Sequence, residues 1–200
     1  MTTAARPSPE WPRFDHVCPG TRTGMMLDRL LRKSESFDRL DHLTAKAATQ
    51  LRRALDGRAV DRALRGSWLG HPVHPLAVTV PIGAWVSSAV FDALRKRDAA
   101  RLCVAVGVVT VPTAVVTGLA EFSRLSPVQR RVGALHYLAI VAAQACYVTS
   151  HRCRTRGSHG AGAWWGLAGL AAVSAGGALG GHLSYALGAG VYEWQRGPET

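Results

Sequence analysis

Acidic side chains are scarce in the last two thirds of this chain. Residues 71–200 hold five Asp or Glu, against eight in the first seventy. Paired cysteines are missing too: Cys18, Cys103, Cys146 and Cys153 show no metal-type spacing, and no disulfide is required of them. The first twenty-four residues are polar and Pro-rich and lack the apolar core region of a signal peptide. The net charge is +11, yet no recognisable nucleic-acid motif accompanies it, which excludes nucleic acid as the expected partner. Charge of either sign is also missing from long runs. Nineteen residues between Arg101 and Glu121 carry none, and nineteen between Arg131 and His151 are interrupted only by His136 and Gln144.

What fills those runs decides the class. Gly160–Gly181 adds twenty-two uncharged residues, and Pro75–Leu94 holds a single acid, Asp92, near its end. About twenty apolar residues at 1.5 Å rise cross a hydrocarbon core of roughly 30 Å. Four such runs joined by short basic connections predict an all-α integral membrane four-helix bundle. Trp68, Trp164 and Trp165 flank the runs, as an interfacial aromatic belt does.

Ahead of the bundle, Met25 to Leu55 reads as one amphipathic helix. Leu27, Leu30, Leu31, Phe37, Leu40, Ala47, Leu51 and Leu55 recur near the helical period, among arginines. Gly57 stops it, and a second short helix is expected over Ala59–Leu64. The predicted organisation is a disordered leader over 1–24, an amphipathic helical segment at the membrane surface over 25–70, the four-span bundle over 71–192 and a short tail over 193–200. Pro81 and Pro112 are expected to kink the first two spans.

The junction at His71-Pro72-Val73-His74-Pro75 holds two imidazoles on a stiff, extended segment. Imidazole is the common ligand for transition metals and haem. Alternating span directions carry more chemistry to the same end. Glu121 closes the second span there, His136 lies under two turns into the third, and His182 closes the fourth. His71, His74, Glu121, His136 and His182 are therefore expected to cluster at the N-terminal end of the bundle. Ionisable groups within spans usually face the bundle interior and mark function. Gly176 and Gly180, with Gly177 and Gly181, put small residues at spacing four on the fourth span, as tight helix packing or room for a flat cofactor requires.

These segments resemble a known family. Gly66-Ser67-Trp68-Leu69-Gly70-His71-Pro72-Val73-His74-Pro75-Leu76 leads to Pro81-Ile82-Gly83-Ala84-Trp85. Thr117-Gly118-Leu119-Ala120-Glu121, Arg131-Val132-Gly133-Ala134-Leu135-His136 and Gly180-Gly181-His182-Leu183-Ser184-Tyr185 follow in order. The set is similar to a bacterial four-helix membrane family catalogued as a domain of unknown function (number 2231), over about residues 25–192. The resemblance implies a redox association, because some relatives carry a Rieske iron–sulfur domain directly afterwards. Relatives often have Asp where Glu121 stands. They often have Asn shortly after the third-span histidine, where this chain has Ala139 and Ile140.

Two functions stay open. One is a redox membrane module that binds haem through His136 and His182, or a transition metal through His71, His74, Glu121 and His136. It would work with an iron–sulfur protein or a quinone. The other is a non-catalytic scaffold or anchor whose histidines form a structural network. The chain is not expected to be an enzyme on its own, and a homo-oligomer is compatible with it. A proton-linked transporter ranks third, the four spans being read as having no internal repeat and little polar lining. The expected location is the bacterial inner membrane, multi-pass, with both termini cytoplasmic. Counts of basic residues near the spans are balanced at seven on each side and leave that orientation to the basic amphipathic helix.

Overall fold

A computed structural model describes residues 22–190; the expected tail over 193–200, and the leader up to position 21, lie outside them. Among the described residues every regular element is helical: α1 (Arg22–Ser34), α2 (Asp41–Leu55), α3 (Ala59–Arg65), α4 (Val73–Ala77), α5 (Thr79–Ala93), α6 (Arg97–Phe122), α7 (Pro127–Thr155) and α8 (His159–Gly181). A 3₁₀ turn (Asp38–Leu40) precedes α2, and a π-helical turn (His182–Ala186) extends α8.

The single helix expected over Met25–Leu55 is two helices. The ladder ends after α1, where the N–H groups of Glu35 and Ser36 reach back only three residues, to Arg32 O and Lys33 O, and the hydroxyls of Ser34 and Ser36 also bond the carbonyls of Leu31 and Lys33. Side chains of this kind compete with the helical ladder. The second short helix forms over Ala59–Arg65. Gly66 closes it in the left-handed conformation at φ 78°, a role that glycine fills without strain.

Four helices are long and apolar enough to cross a membrane: Val73–Ala93, Arg97–Phe122, Pro127–Thr155 and His159–Ala186. The first is interrupted at Val78, between α4 and α5. Pro81 accounts for the break, since it lacks an N–H and its ring crowds the carbonyl of Ala77 four residues back. Ser126 starts α7 with a full capping box. Its hydroxyl accepts from Gln129 N–H, Gln129 Oε1 accepts from Ser126 N–H, and Pro127 takes the first helical position. The outward faces are apolar: Val86, Val90, Leu102, Val109, Leu138 and Leu167 are exposed. A bundle in water would show polar residues there; in lipid these are the residues required.

The inward faces reveal an internal repeat, which overturns the reading of four unrelated spans. Buried positions in α5 are Pro81, Trp85 and Ser88; those at the same stations of α7 are Ala143, Tyr147 and Ser150. In α6 they are Ala100, Val104, Gly107, Val111 and Ala114, and in α8 Gly162, Gly166, Gly169, Val173 and Gly176. Each pair is 62 positions apart, the separation of Asp92 and Arg154. Spacings of three and four make these stripes coiled-coil seams. Arg95 (φ 57°) and Gly157 (φ 82°) occupy the same station in the two connecting turns. Equivalent residues also touch. His74 meets His136, Trp85 stacks on Tyr147, and Asp92 pairs with Arg154. Contact between equivalent positions is the mark of an isologous, two-fold interface. The chain is two similar hairpins, α4–α6 and α7–α8, about an approximate two-fold axis along the bundle. Positions 74 and 92 stand about 27 Å apart at 1.5 Å per residue, so the axis pairs span nearly the whole membrane.

Candidate functional site

Two of the expected residues come together on the axis. The His74 and His136 ring centres are 6.4 Å apart with planes at 87°. Each ring is fixed in the same way by the partner helix of its own hairpin. His74 Nδ1–H donates to Ala114 O at 2.9 Å, and His136 Nδ1–H donates to Gly176 O at 2.7 Å. A carbonyl only accepts, so in both rings the proton sits on Nδ1 and the lone pair on Nε2. That is the tautomer a metal-ligating histidine presents, with its other nitrogen held by a carbonyl. Glycine makes room for each ring. A Cβ on Gly118 would lie 2.8 Å from His74 Cε1, and one on Gly180 would lie 3.3 Å from His136 Cε1.

The other expected residues have different partners. His182, buried in the π-turn, faces Glu35 Oε1 through Nε2 at 2.8 Å. The ring that faces His136 is thus His74, while the nitrogen of His182 suited to haem is engaged by a carboxylate. Glu121 Oε2 stands 4.0 Å from Arg65 Nη1. His71 is exposed before α4. Among the described residues no three His, Cys, Asp or Glu side chains are grouped to hold a metal ion. A centre on the histidine pair would therefore take its remaining donors from beyond the described residues.

The surface helices dock onto this end through ion pairs that sequence reading missed. Arg131 grips Asp41 bidentately at 2.7 and 2.5 Å and donates to Glu35 O at 2.8 Å. The hydrogen bonds from Arg131 hold the Asp41 carboxyl below its usual range, helped by the charges of Arg131 and Arg130, against the opposing effect of desolvation. Asp61 binds Arg65 at 2.7 Å and Arg124 at 3.2 Å. Arg52 donates to Ser123 O, and Arg65 to Ser123 Oγ. The signal was present in the acids Glu35, Asp41 and Asp61, spread along a segment otherwise read as basic.

Farther along the axis, Trp85 and Tyr147 stack at 4.0 Å with planes 8° apart. Gly107 and Gly169 lie against them, and a Cβ at Gly169 would approach Tyr147 Cε2 to 2.7 Å. At the far end Arg154 binds Asp92 at 2.6 and 2.5 Å. The Arg154 side chain is fully buried and Asp92 is 22 % exposed. Arg154 Nε also donates to Ser150 Oγ, which donates to Gly162 O. Arg154 counted only as a basic loop residue in the sequence, although both it and Asp92 end spans on the same side.

The sequence model of a family described as a predicted membrane protein, domain of unknown function 2231, matches residues 70–193. The chain belongs to that family. No curated protein and no solved structure matches it.

Proposed function

We propose that this membrane protein is a redox module that holds one haem iron or one transition-metal ion between His74 and His136. The observation that carries the reading is the geometry of the pair. Two imidazoles that shared one metal atom, each at about 2.0 Å, would have ring centres up to roughly 6.3 Å apart. The pair stands at 6.4 Å. Both rings have Nδ1 tied to a backbone carbonyl, which leaves Nε2 as the ligating atom. His74 and His136 would supply both imidazoles of a bis-histidine haem, with no further protein ligand. The work of the chain is then to fix the ligand tautomers, set the depth of the centre and exclude other donors. Electrons would pass to an iron–sulfur protein or a quinone at the same end of the bundle. We place the chain in a bacterial inner membrane with both termini cytoplasmic, four spans returning the chain to its starting side.

The test is protein purified from cells supplied with iron and haem precursor. The expected result is a Soret band that shifts on reduction, or one bound metal per chain. His74→Ala and His136→Ala should abolish it alike, because they are equivalent ligands, and His182→Ala should retain it. A specific observation favours a second reading, the anchor: the Arg131–Asp41, His182–Glu35 and Asp61 contacts clamp the surface helices to the bundle. Colourless, metal-free protein that still folds with His74→Ala leaves the anchor alone.

A further inference from the structure

On the outer side of α2, where α7 emerges from the bundle, lies a half-open cleft of about 390 Å³. Arg52, Arg53 and Arg130 line it, with Asp56 as the one acid and Ala45 and Ala48 among the small residues at its wall. Three cations against one anion leave the cleft positive. Arg52 has its Nη2 on Ser123 O. Arg130 has Nη1 on Leu125 O at 2.8 Å, while its Nε is buried with no acceptor among the described residues. Buried donors are normally satisfied, and among the described residues none supplies an acceptor for this one. The level of the cleft narrows the ligand. Arg130 lies in the first turn of α7, whose span begins at Pro127, so its guanidinium sits where a span leaves hydrocarbon for headgroups. Basic pockets beside spans at that depth bind acidic headgroups.

We infer that Arg52, Arg53 and Arg130 form a binding site for the phosphate of an anionic phospholipid headgroup. Arg130 and Arg53 supply the charge-assisted donors, since guanidinium matches phosphate oxygens in a fork. The small side chains Ala45 and Ala48 leave space for the headgroup against α2. The cleft is independent of the histidine pair, none of its lining residues being His74 or His136.

The test uses the full chain in neutral detergent, given phosphatidylglycerol or phosphatidylcholine in equal amounts, with bound lipid counted by native mass spectrometry. Preferential retention of phosphatidylglycerol is expected. Arg53→Gln and Arg130→Gln should each lower it about fivefold, the effect of one arginine at a charged surface. Arg101→Gln, at the opposite end of the bundle, should leave it unchanged. Arg53 is exposed, so its variant folds even if the Arg130 variant does not. Equal retention of both lipids, or an unchanged preference in Arg53→Gln, overturns the site. Displacement of the lipid by millimolar inorganic phosphate would assign the cleft to a free anion and overturn the lipid assignment.

Discussion

The two hairpins share a frame and differ at its ends. Where they agree, the residues make the seam: His74 with His136, Ser88 with Ser150, Gly107 with Gly169, Gly118 with Gly180. Where they disagree, the chain does what two identical copies could not. Asp92 and Arg154 form an ion pair only because equivalent positions carry opposite charge; two copies of either hairpin would bring like charges together. At the other end, Arg131 and His182 hold the surface helices, and their counterparts 62 positions earlier are Leu69 and Ala120. The divergence thus fixes which hairpin faces which and where the N-terminal segment docks. The histidine pair lies in the part where the two hairpins agree.

The strongest way to break the comparison is at the ion pair. Arg154→Ala should leave Asp92 without its partner in a largely dry site and cost about 3–5 kcal/mol. Exchange of the charges, Asp92→Arg with Arg154→Asp, tests whether the hairpins are interchangeable there. They should not be. Arg154 lies along Gly162, where a Cβ would stand 2.5 Å from its Cγ, whereas the counterpart of Gly162 is the fully buried Ala100. An arginine at position 92 therefore meets a methyl group. Thermal unfolding in detergent should show the exchange still destabilised and partly recovered by Ala100→Gly. A plain exchange as stable as the native chain would mean that the two ends are sterically alike.

A smaller effect is expected where the hairpins agree. Gly107→Ala drives a methyl into the Trp85 indole, and Gly169→Ala drives one into the Tyr147 ring. Each should cost about 1–3 kcal/mol through overpacking, and the two losses should be similar. Gly83 has open space around its missing Cβ, and its counterpart is Ala145. Gly83→Ala should be neutral or stabilising by up to about 1 kcal/mol from helix propensity. Unequal losses at Gly107 and Gly169 would show that the stack leans on one hairpin.

The spans were legible because bilayer thickness imposes a length that charge-free runs announce directly. The gathering of histidines at one end was legible from alternating span direction. Which rings meet was not. His182 is closer in sequence to His136 than His74 is, but the surface helix brings Glu35 to it, and nothing local in either segment encodes that contact. The repeat is hard to see in sequence because its identical pairs, such as His74 with His136, are interleaved with pairs that differ: Trp85 matches Tyr147, Ala100 matches Gly162, Asp92 matches Arg154. The break after Ser34 was hidden by a leucine periodicity that runs through it. That periodicity reports which face is apolar, and two short helices joined by a turn can keep one face.

The smallest expected effect sharpens the comparison at the end where only the second hairpin holds the surface helices. Asp41 reaches Arg131 from the surface, so salt and water weaken the pair. Its carboxyl is nonetheless held below its ordinary value, first by the hydrogen bonds from Arg131. A lowered carboxylate pKa contributes stability that is fully present above the unfolded value of about 3.9 and is lost as pH falls through the folded one. Docking of α2 on α7 should therefore stay constant from neutral pH to about pH 4 and loosen only below it. Limited proteolysis between α1 and α2 reads that loosening. The measurement belongs in a Glu35→Gln background, so that the contact between Glu35 and His182 does not titrate along with it. In that background Asp41→Asn should already be loosened at neutral pH and should respond less to acid. Loosening that begins well above pH 5 and is the same in Asp41→Asn would point to a group other than this pair. An Asp41→Asn chain cut no faster than its parent at neutral pH would show that Arg131 holds the segment through the Glu35 carbonyl alone.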